Sequence, residues 1–277
     1  MLVKPHQLFD RARRGGFALG AFTGVSSEIM QAILKAADEE RSPVIIRTPE
    51  QMVRRVGPKI LVGMVRLLTD DAECACVLHL DQGTDFSFIQ ACIEAGYTSV
   101  MVEAGAGLLP RNIQKCREVA EYGRGRGVWV EAGMGGDTSR VIPEEAKELA
   151  EATGVDAISF ACGTVYGAFT GQEYIQFELI DAIQKLLPGL PLVLQGASGL
   201  ADRHITEVAQ GNVCQVNFET EVHAAYIGAF KGSLGDTGVT TPLPQLLDNA
   251  QAAVQRVVAR KLRTLGSSGQ TEYLGYN

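Results

Sequence analysis

An imidazole and a carboxylate two residues apart, His79 and Asp81, follow the apolar run Cys74 to Leu78 in the stretch His79-Leu80-Asp81-Gln82-Gly83. With the period of two of a strand, Val77, His79 and Asp81 share one face, while Cys76, Leu78 and Leu80 share the other and can pack on helices. A buried strand whose polar face ends in a carboxylate brings a proton-transfer group to a pocket. An ion-paired Asp beside a satisfied core His is the competing reading of this stretch alone.

The elements that would position these groups alternate along the chain. Strand candidates run Phe17 to Thr23, Pro43 to Thr48, Cys74 to Asp81, Ser99 to Gly105, Val128 to Gly133, Ala157 to Gly163, Leu192 to Gln195 and Val213 to Phe218. Helical patterns fill the intervals, as over Ser27 to Glu40, Phe86 to Ala95, Pro110 to Arg124, Pro143 to Thr153 and Ile175 to Leu187, several with a capping residue or an early Pro. Eight such units predict an α/β fold, a single (β/α)8 TIM barrel in one domain. A doubly wound sheet fits less well, because no GxGxxG follows the first strand. Pro242 to Leu265 reads as an extra C-terminal helix and 266–277 as a loose tail.

In such a barrel the site lies where the strands end. Arg47 ends the second strand, Asp81 and Gln82 the third, Glu103 the fourth, Glu131 the fifth, Gln195 the seventh and Asn217 the eighth. Gly196-Ala197-Ser198-Gly199 and Asn217-Phe218-Glu219-Thr220-Glu221 each run into a helix and offer backbone N–H groups and hydroxyls, where barrels bind phosphate. A tight turn without a ligand is the other reading of the Gly196 loop. Arg47 is a candidate for a substrate carboxylate or second phosphate, set against the commoner fate of an Arg as a solvated or salt-bridged group. Arg140, in a Gly-rich segment, is a similar candidate.

Composition narrows the partners. The 277 residues are 46% hydrophobic and 21% charged, which suits a barrel of ~250 residues. A net charge of -7 without a run of Lys or Arg argues against nucleic acid. The absence of a cleavable N-terminal signal and of an apolar run of ~18 residues argues against a membrane and for a cytoplasmic protein. Six cysteines with no CxxC pair read as buried free thiols.

Several segments together carry a family resemblance: Gly20-Ala21-Phe22, Glu40-Arg41-Ser42-Pro43-Val44-Ile45, His79-Leu80-Asp81, Ile93-Glu94-Ala95-Gly96-Tyr97-Thr98-Ser99-Val100-Met101, Val130-Glu131-Ala132, Gly154-Val155-Asp156-Ala157, Gly196-Ala197-Ser198-Gly199 and Val216-Asn217 with Thr220-Glu221. The chain resembles the class II ketose-bisphosphate aldolases, from about Gly20 to Gly269. That resemblance implies a small phosphorylated substrate, a homodimer or homotetramer, and a zinc ion held by three histidines. It also implies that Asp81 moves a proton, that Ser198 and Thr220 contact phosphate, and that Asn217 contacts the ketose phosphate.

All three histidine positions are changed. Gln82 replaces the last His of His-Leu-Asp-His, Tyr166 stands where the family has a His before Gly, and Gln195 stands before Gly196-Ala197-Ser198-Gly199 in place of His. Gly133 replaces the second Glu of Glu-Ala-Glu, Glu103 takes the place of an Asp, Thr170 lies where a Lys is common, and Trp129 occupies a usually small position. Amides and a phenol are poor zinc ligands, so the expected cofactor is none, with Mg²⁺ or Mn²⁺ on Asp81, Glu103 and Glu131 as the alternative. No lysine falls at a strand end to form a Schiff base. The expected activity is a metal-independent aldol, retro-aldol or enolisation reaction, with Asp81 moving the proton and Gln82, Gln195 and Tyr166 donating to an oxyanion. A non-catalytic sugar-phosphate-binding relative is the alternative.

Overall fold

Val44-Ile45-Ile46 and Cys76-Val77-Leu78 are buried throughout, as strands covered on both faces require. In the computed structural model, which describes residues 1–105, 108–135, 141–162, 175–211, 213–234 and 241–271, these runs belong to eight parallel strands. They are β1 (Leu19–Thr23), β2 (Val44–Pro49), β3 (Cys76–Gly83), β4 (Ser99–Gly105), β5 (Trp129–Met134), β6 (Ala157–Phe160), β7 (Leu192–Leu194) and β8 (Val213–Phe218). They pair in chain order and close through β8 on β1, giving the expected TIM barrel. The sixth strand stops at Phe160, short of the expected end, and Gly163 lies outside the described residues.

Helices α1 (His6–Gly15), α2 (Ser27–Glu39), α3 (Glu50–Val56), α4 (Pro58–Asp70), α5 (Phe86–Ala95), α6 (Leu109–Arg124), α7 (Pro143–Thr153), α8 (Phe177–Leu186), α9 (Asp202–Gln210), α10 (Thr220–Leu234) and α11 (Leu243–Thr264) surround the sheet. Local chemistry sets their limits. The Ser26 hydroxyl accepts the Ile29 N–H (3.3 Å) at the start of α2, and the Asp85 carboxylate accepts the Phe88 N–H (2.8 Å) at the start of α5. Two helices, α3 and α4, fill the β2–β3 interval. Among the described residues no helix is long and apolar enough to cross a membrane.

Alternation along the strands divides the barrel interior into two storeys. Ile45, Val77, Trp129, Ala157 and Val193 form an apolar floor with Leu8, Phe9 and Ala12 of α1. Two residues further along the same strands stand Arg47, His79, Glu131, Ser159 and Gln195, all buried. Trp129 fills the barrel interior: its ring stacks on Phe9 at 4.2 Å, so α1 caps the barrel from below.

The C-terminal segment corrects the expectation of a loose tail as far as Thr271. Ser267 is buried and its hydroxyl meets that of Ser42 at 3.0 Å. The Gly269 N–H donates to the Glu40 carbonyl and the Thr271 N–H to the Arg41 carbonyl, both at 2.9 Å. Arg263 grips the Glu40 carboxylate at 2.6 Å. Polar residues that look like a solvated end in sequence here satisfy the backbone at the end of α2. Residues 272–277 lie outside the described set.

Phe9→Ala should remove the stacked partner from the barrel floor and cost about 3–5 kcal/mol. Chemical denaturation, followed by the emission of the single tryptophan, checks the loss.

Candidate active site at the mouth of the barrel

The β2 side chain Arg47 is 2% exposed and its Nη2 lies 2.5 Å from Asp81 Oδ2. The same nitrogen donates to Gln195 Oε1 at 3.3 Å. Arginine has no acceptor, so the amide of Gln195 must turn its oxygen toward Arg47. Its nitrogen then donates to Ser159 Oγ (3.3 Å) and toward Met101 Sδ (3.5 Å). Of the two readings of Arg47 the salt-bridged one is what the structure shows: it is a buried strand residue paired with a carboxylate of the chain. The expectation for Gln195 is corrected, since it presents its carbonyl, not its N–H groups, to the site.

The remaining polar atoms are less well served. Asp81 Oδ1, both carboxylate oxygens of Glu131, Nε2 of His79 and Nδ2 of Asn217 are buried without a hydrogen-bond partner among the described residues. Asn217 Oδ1 accepts from Gln215 Nε2 at 2.7 Å, and His79 Nδ1 meets Ser99 Oγ at 2.7 Å. Burial pushes the Glu131 carboxyl up to about 7, and the charges of Asp81 and Glu103 act in the same direction. The Ser159 hydroxyl and Arg47 oppose that shift, although the hydroxyl donates to Met101 Sδ and accepts from Gln195 Nε2. Burial likewise drives His79 down to about 3, so its ring is neutral.

Gln82 stands at the end of β3 with φ 54, a left-handed backbone uncommon outside glycine, where the β3–β4 register shifts. The turn is fixed from outside: the Glu50 carboxylate accepts the Thr84 N–H (2.5 Å) and hydroxyl (3.0 Å). Gly83 admits no side chain, since a Cβ there would come 2.8 Å from the Met101 carbonyl. Glu103, partly exposed at the end of β4, accepts the Gly105 N–H at 2.9 Å.

The two loops expected to hold phosphate do meet. Ser198 Oγ accepts the N–H groups of Glu219 (3.2 Å) and Glu221 (3.4 Å), and the Ala197 N–H donates to the Asn217 carbonyl. Some of the amides expected to be free are therefore engaged. Gly199 donates its N–H to Glu221 Oε1 at 2.6 Å, and that carboxylate is balanced by Lys261 and Arg260, each at 3.0 Å. Gly196 (φ 67) and Thr220, the first residue of α10, border the same junction.

The structure thus brings Arg47, Asp81, Gln195 and Glu131 together and sets Asn217 at the end of β8. Tyr166, Thr170 and Arg140 lie outside the described residues. Ser159, Met101 and Ser99 are partners that the sequence reading passed over. The period of two through Ile158-Ser159-Phe160 was the available signal for Ser159.

The zinc that the resemblance implies does not suit this donor set. Amides stand at two of its positions, and a guanidinium pairs with Gln195 and Asp81. Among the described residues no group of three or more His, Cys, Asp or Glu is placed to hold a metal ion. That includes Asp81, Glu103 and Glu131, the alternative set for Mg²⁺ or Mn²⁺, because Asp81 faces Arg47 and Glu103 turns one oxygen to a backbone amide. The six cysteines are buried free thiols, and burial pushes that of Cys116 up to about 12.

Glu131 makes stability depend on pH with a definite sign. Its folded value lies above the ordinary 4.5, so the folded chain holds the extra proton between about 4.5 and 7, and stability falls as pH rises through that window. The full effect is on the order of 3 kcal/mol. Glu131→Gln should match the natural protein near pH 4.5 and melt at a higher temperature near pH 8. Thermal unfolding across that range measures it.

A model of the family described as "Fructose-bisphosphate aldolase class-II" matches residues 3–270. The fructose-bisphosphate aldolase of Geobacillus stearothermophilus is 34% identical over 284 aligned positions, covering 97% of this chain and 98% of that protein. The Helicobacter pylori fructose-bisphosphate aldolase is 29% identical over 307 aligned positions, covering 98% and 100%. Among solved structures, the YdjI aldolase of Escherichia coli K12 matches with a TM-score of 0.89 at 26% identity, covering 98% of this chain and 100% of that one. The chain belongs to the class II fructose-bisphosphate aldolase family.

Proposed function

We propose that the protein is an aldolase-type carbon–carbon lyase or enolising enzyme that acts on a small phosphorylated ketone or keto acid without a metal ion. The observation that carries this reading is the set of buried polar atoms left without partners among the described residues. Asp81 Oδ1 and the two Glu131 oxygens ask for donors, and Asn217 Nδ2 asks for an acceptor. A hydroxyketone supplies both, through its hydroxyl and its carbonyl. Asp81 takes the proton through Oδ1, while the junction of Gly196, Ser198 and Thr220 receives the phosphate at the N-terminus of α10.

Tyr166 and the Gln82 amide assist as donors to the developing oxyanion. Glu131 and Glu103 border the substrate. We also read the protein as a homodimer or homotetramer: α10 carries Ala224, Ala225, Tyr226, Ile227 and Phe230, yet Val222 is its one buried residue.

Dihydroxyacetone phosphate serves as the probe. The protein should exchange its carbinol protons with D2O, continue to do so after exhaustive chelation, and contain no stoichiometric zinc by elemental analysis. Asp81→Asn should slow the exchange by roughly 10²-fold or more and leave binding of the phosphate ester nearly unchanged. One zinc per chain would end the metal-free reading. Binding without any exchange by the natural protein would favour a non-catalytic sugar-phosphate-binding relative.

A further inference from the structure

Removing a proton next to a carbonyl, or breaking the adjacent carbon–carbon bond, pushes an electron pair onto the carbonyl oxygen. That oxyanion needs a positive charge or strong donors already in place. The amide of Gln195 cannot be the donor, because its N–H groups are turned to Ser159 and Met101. No lysine among the described residues stands at a strand end. Among the described residues the cation that stands in the upper storey is Arg47, whose Nη2 is held by both Asp81 and Gln195.

We propose that the Arg47 guanidinium, fixed by Asp81 and Gln195, is the electrophile of the reaction and stabilises the substrate oxyanion in place of the family's metal ion. This rests on the metal-free enolising reading above. The charges balance within the site. In the resting state Arg47 is neutralised by Asp81. When Asp81 accepts the substrate's proton it loses its charge, the electron pair moves to the carbonyl oxygen, and the guanidinium exchanges a carboxylate partner for an oxyanion partner. In carbon–carbon cleavage the proton leaves the hydroxyl of the departing aldehyde instead, and the same oxygen of the ketone fragment receives the electrons. The attraction to Arg47 therefore grows along the reaction, which is the condition for catalysis rather than for substrate binding alone.

The test compares two phosphate esters by calorimetry. 2-Phosphoglycolate has the phosphate and a planar anionic end like the enediolate of a three-carbon ketone phosphate. Glycerol 3-phosphate has the phosphate and no oxyanion. The natural protein should prefer 2-phosphoglycolate by about tenfold or more, the span expected of a charge-assisted contact. Arg47→Met should abolish the preference while changing the Kd of glycerol 3-phosphate less than about threefold. Since Arg47→Met leaves Asp81 unpaired and can fail to fold, Arg47→Lys keeps the charge without the planar fork and should still lose most of the preference. If the lysine variant retains the full preference, or the natural protein shows none, Arg47 is an ion-pair partner only and the proposal is overturned with the phosphorylated-ketone reading intact. If neither ester binds the natural protein, that reading fails and takes the proposal with it.

Discussion

The ion pair between Arg47 and Asp81 is the constraint from which the arrangement of the barrel mouth follows. Both side chains are 2% exposed, so each has given up nearly all its water. Such a pair gains little against an apolar replacement, but losing one partner strands a charge and costs about 3–5 kcal/mol. The pair therefore dictates its neighbours. Arg47 can only donate, so Gln195 must offer oxygen; Gln195 then spends its nitrogen on Ser159 and Met101. The Met101 methyl in turn lies where a side chain at Gly133 would have to stand. A substitution that looks like the loss of a carboxylate thus also provides space for the thioether that the amide leans on.

The pair acts as strongly as it does because of what lies beneath it. The floor of Ile45, Val77, Trp129, Ala157 and Val193, sealed by α1, keeps water from reaching the interior from below. Two residues above Trp129 on the same strand, Glu131 is completely buried, and burial is the main reason its carboxyl titrates near neutrality. His79, on the storey above Val77, remains neutral for the same reason. A low-dielectric floor under a polar layer makes every charge in that layer count for more, whether it stabilises an oxyanion or remains unsatisfied.

The architecture was legible because strand and helix periods are local. Ser99–Gly105, Val213–Phe218, Phe86–Ala95 and Pro143–Thr153 have the limits their apolar spacing and end signals suggest. The alternation of β3 also told which face would carry His79 and Asp81. Contacts between distant strands were not legible. Whether Arg47 would face solvent, a ligand or Asp81 depends on β2 lying beside β3 in one register, with Pro49 opposite Asp81. The orientation of Gln195 depends on a residue 148 positions away. The C-terminal Gly266-Ser267-Ser268-Gly269 has the composition of a frayed end, and only the unsatisfied groups at the end of α2 make it a clasp. Periodicity reports the face a residue occupies and says nothing of the partner waiting there.

On the metal-free reading proposed above, the amides at Gln82 and Gln195 and the buried arginine are parts of one electrostatic arrangement. At a separation of about 4 Å and an effective dielectric of about 20, a single positive charge and a divalent ion repel by roughly 8 kcal/mol, a cost that the Asp81 carboxylate, already engaged by Arg47, offsets only in part. On the metal-free reading proposed above, Arg47 beside Asp81 and Gln195 lessens the advantage of metal ligands at Gln82 and Gln195, and neutral amides there bear less of a cost. The converse also holds. A carboxylate held against an ion of the chain's own needs no metal to justify its burial, and Asp81 has that ion in Arg47.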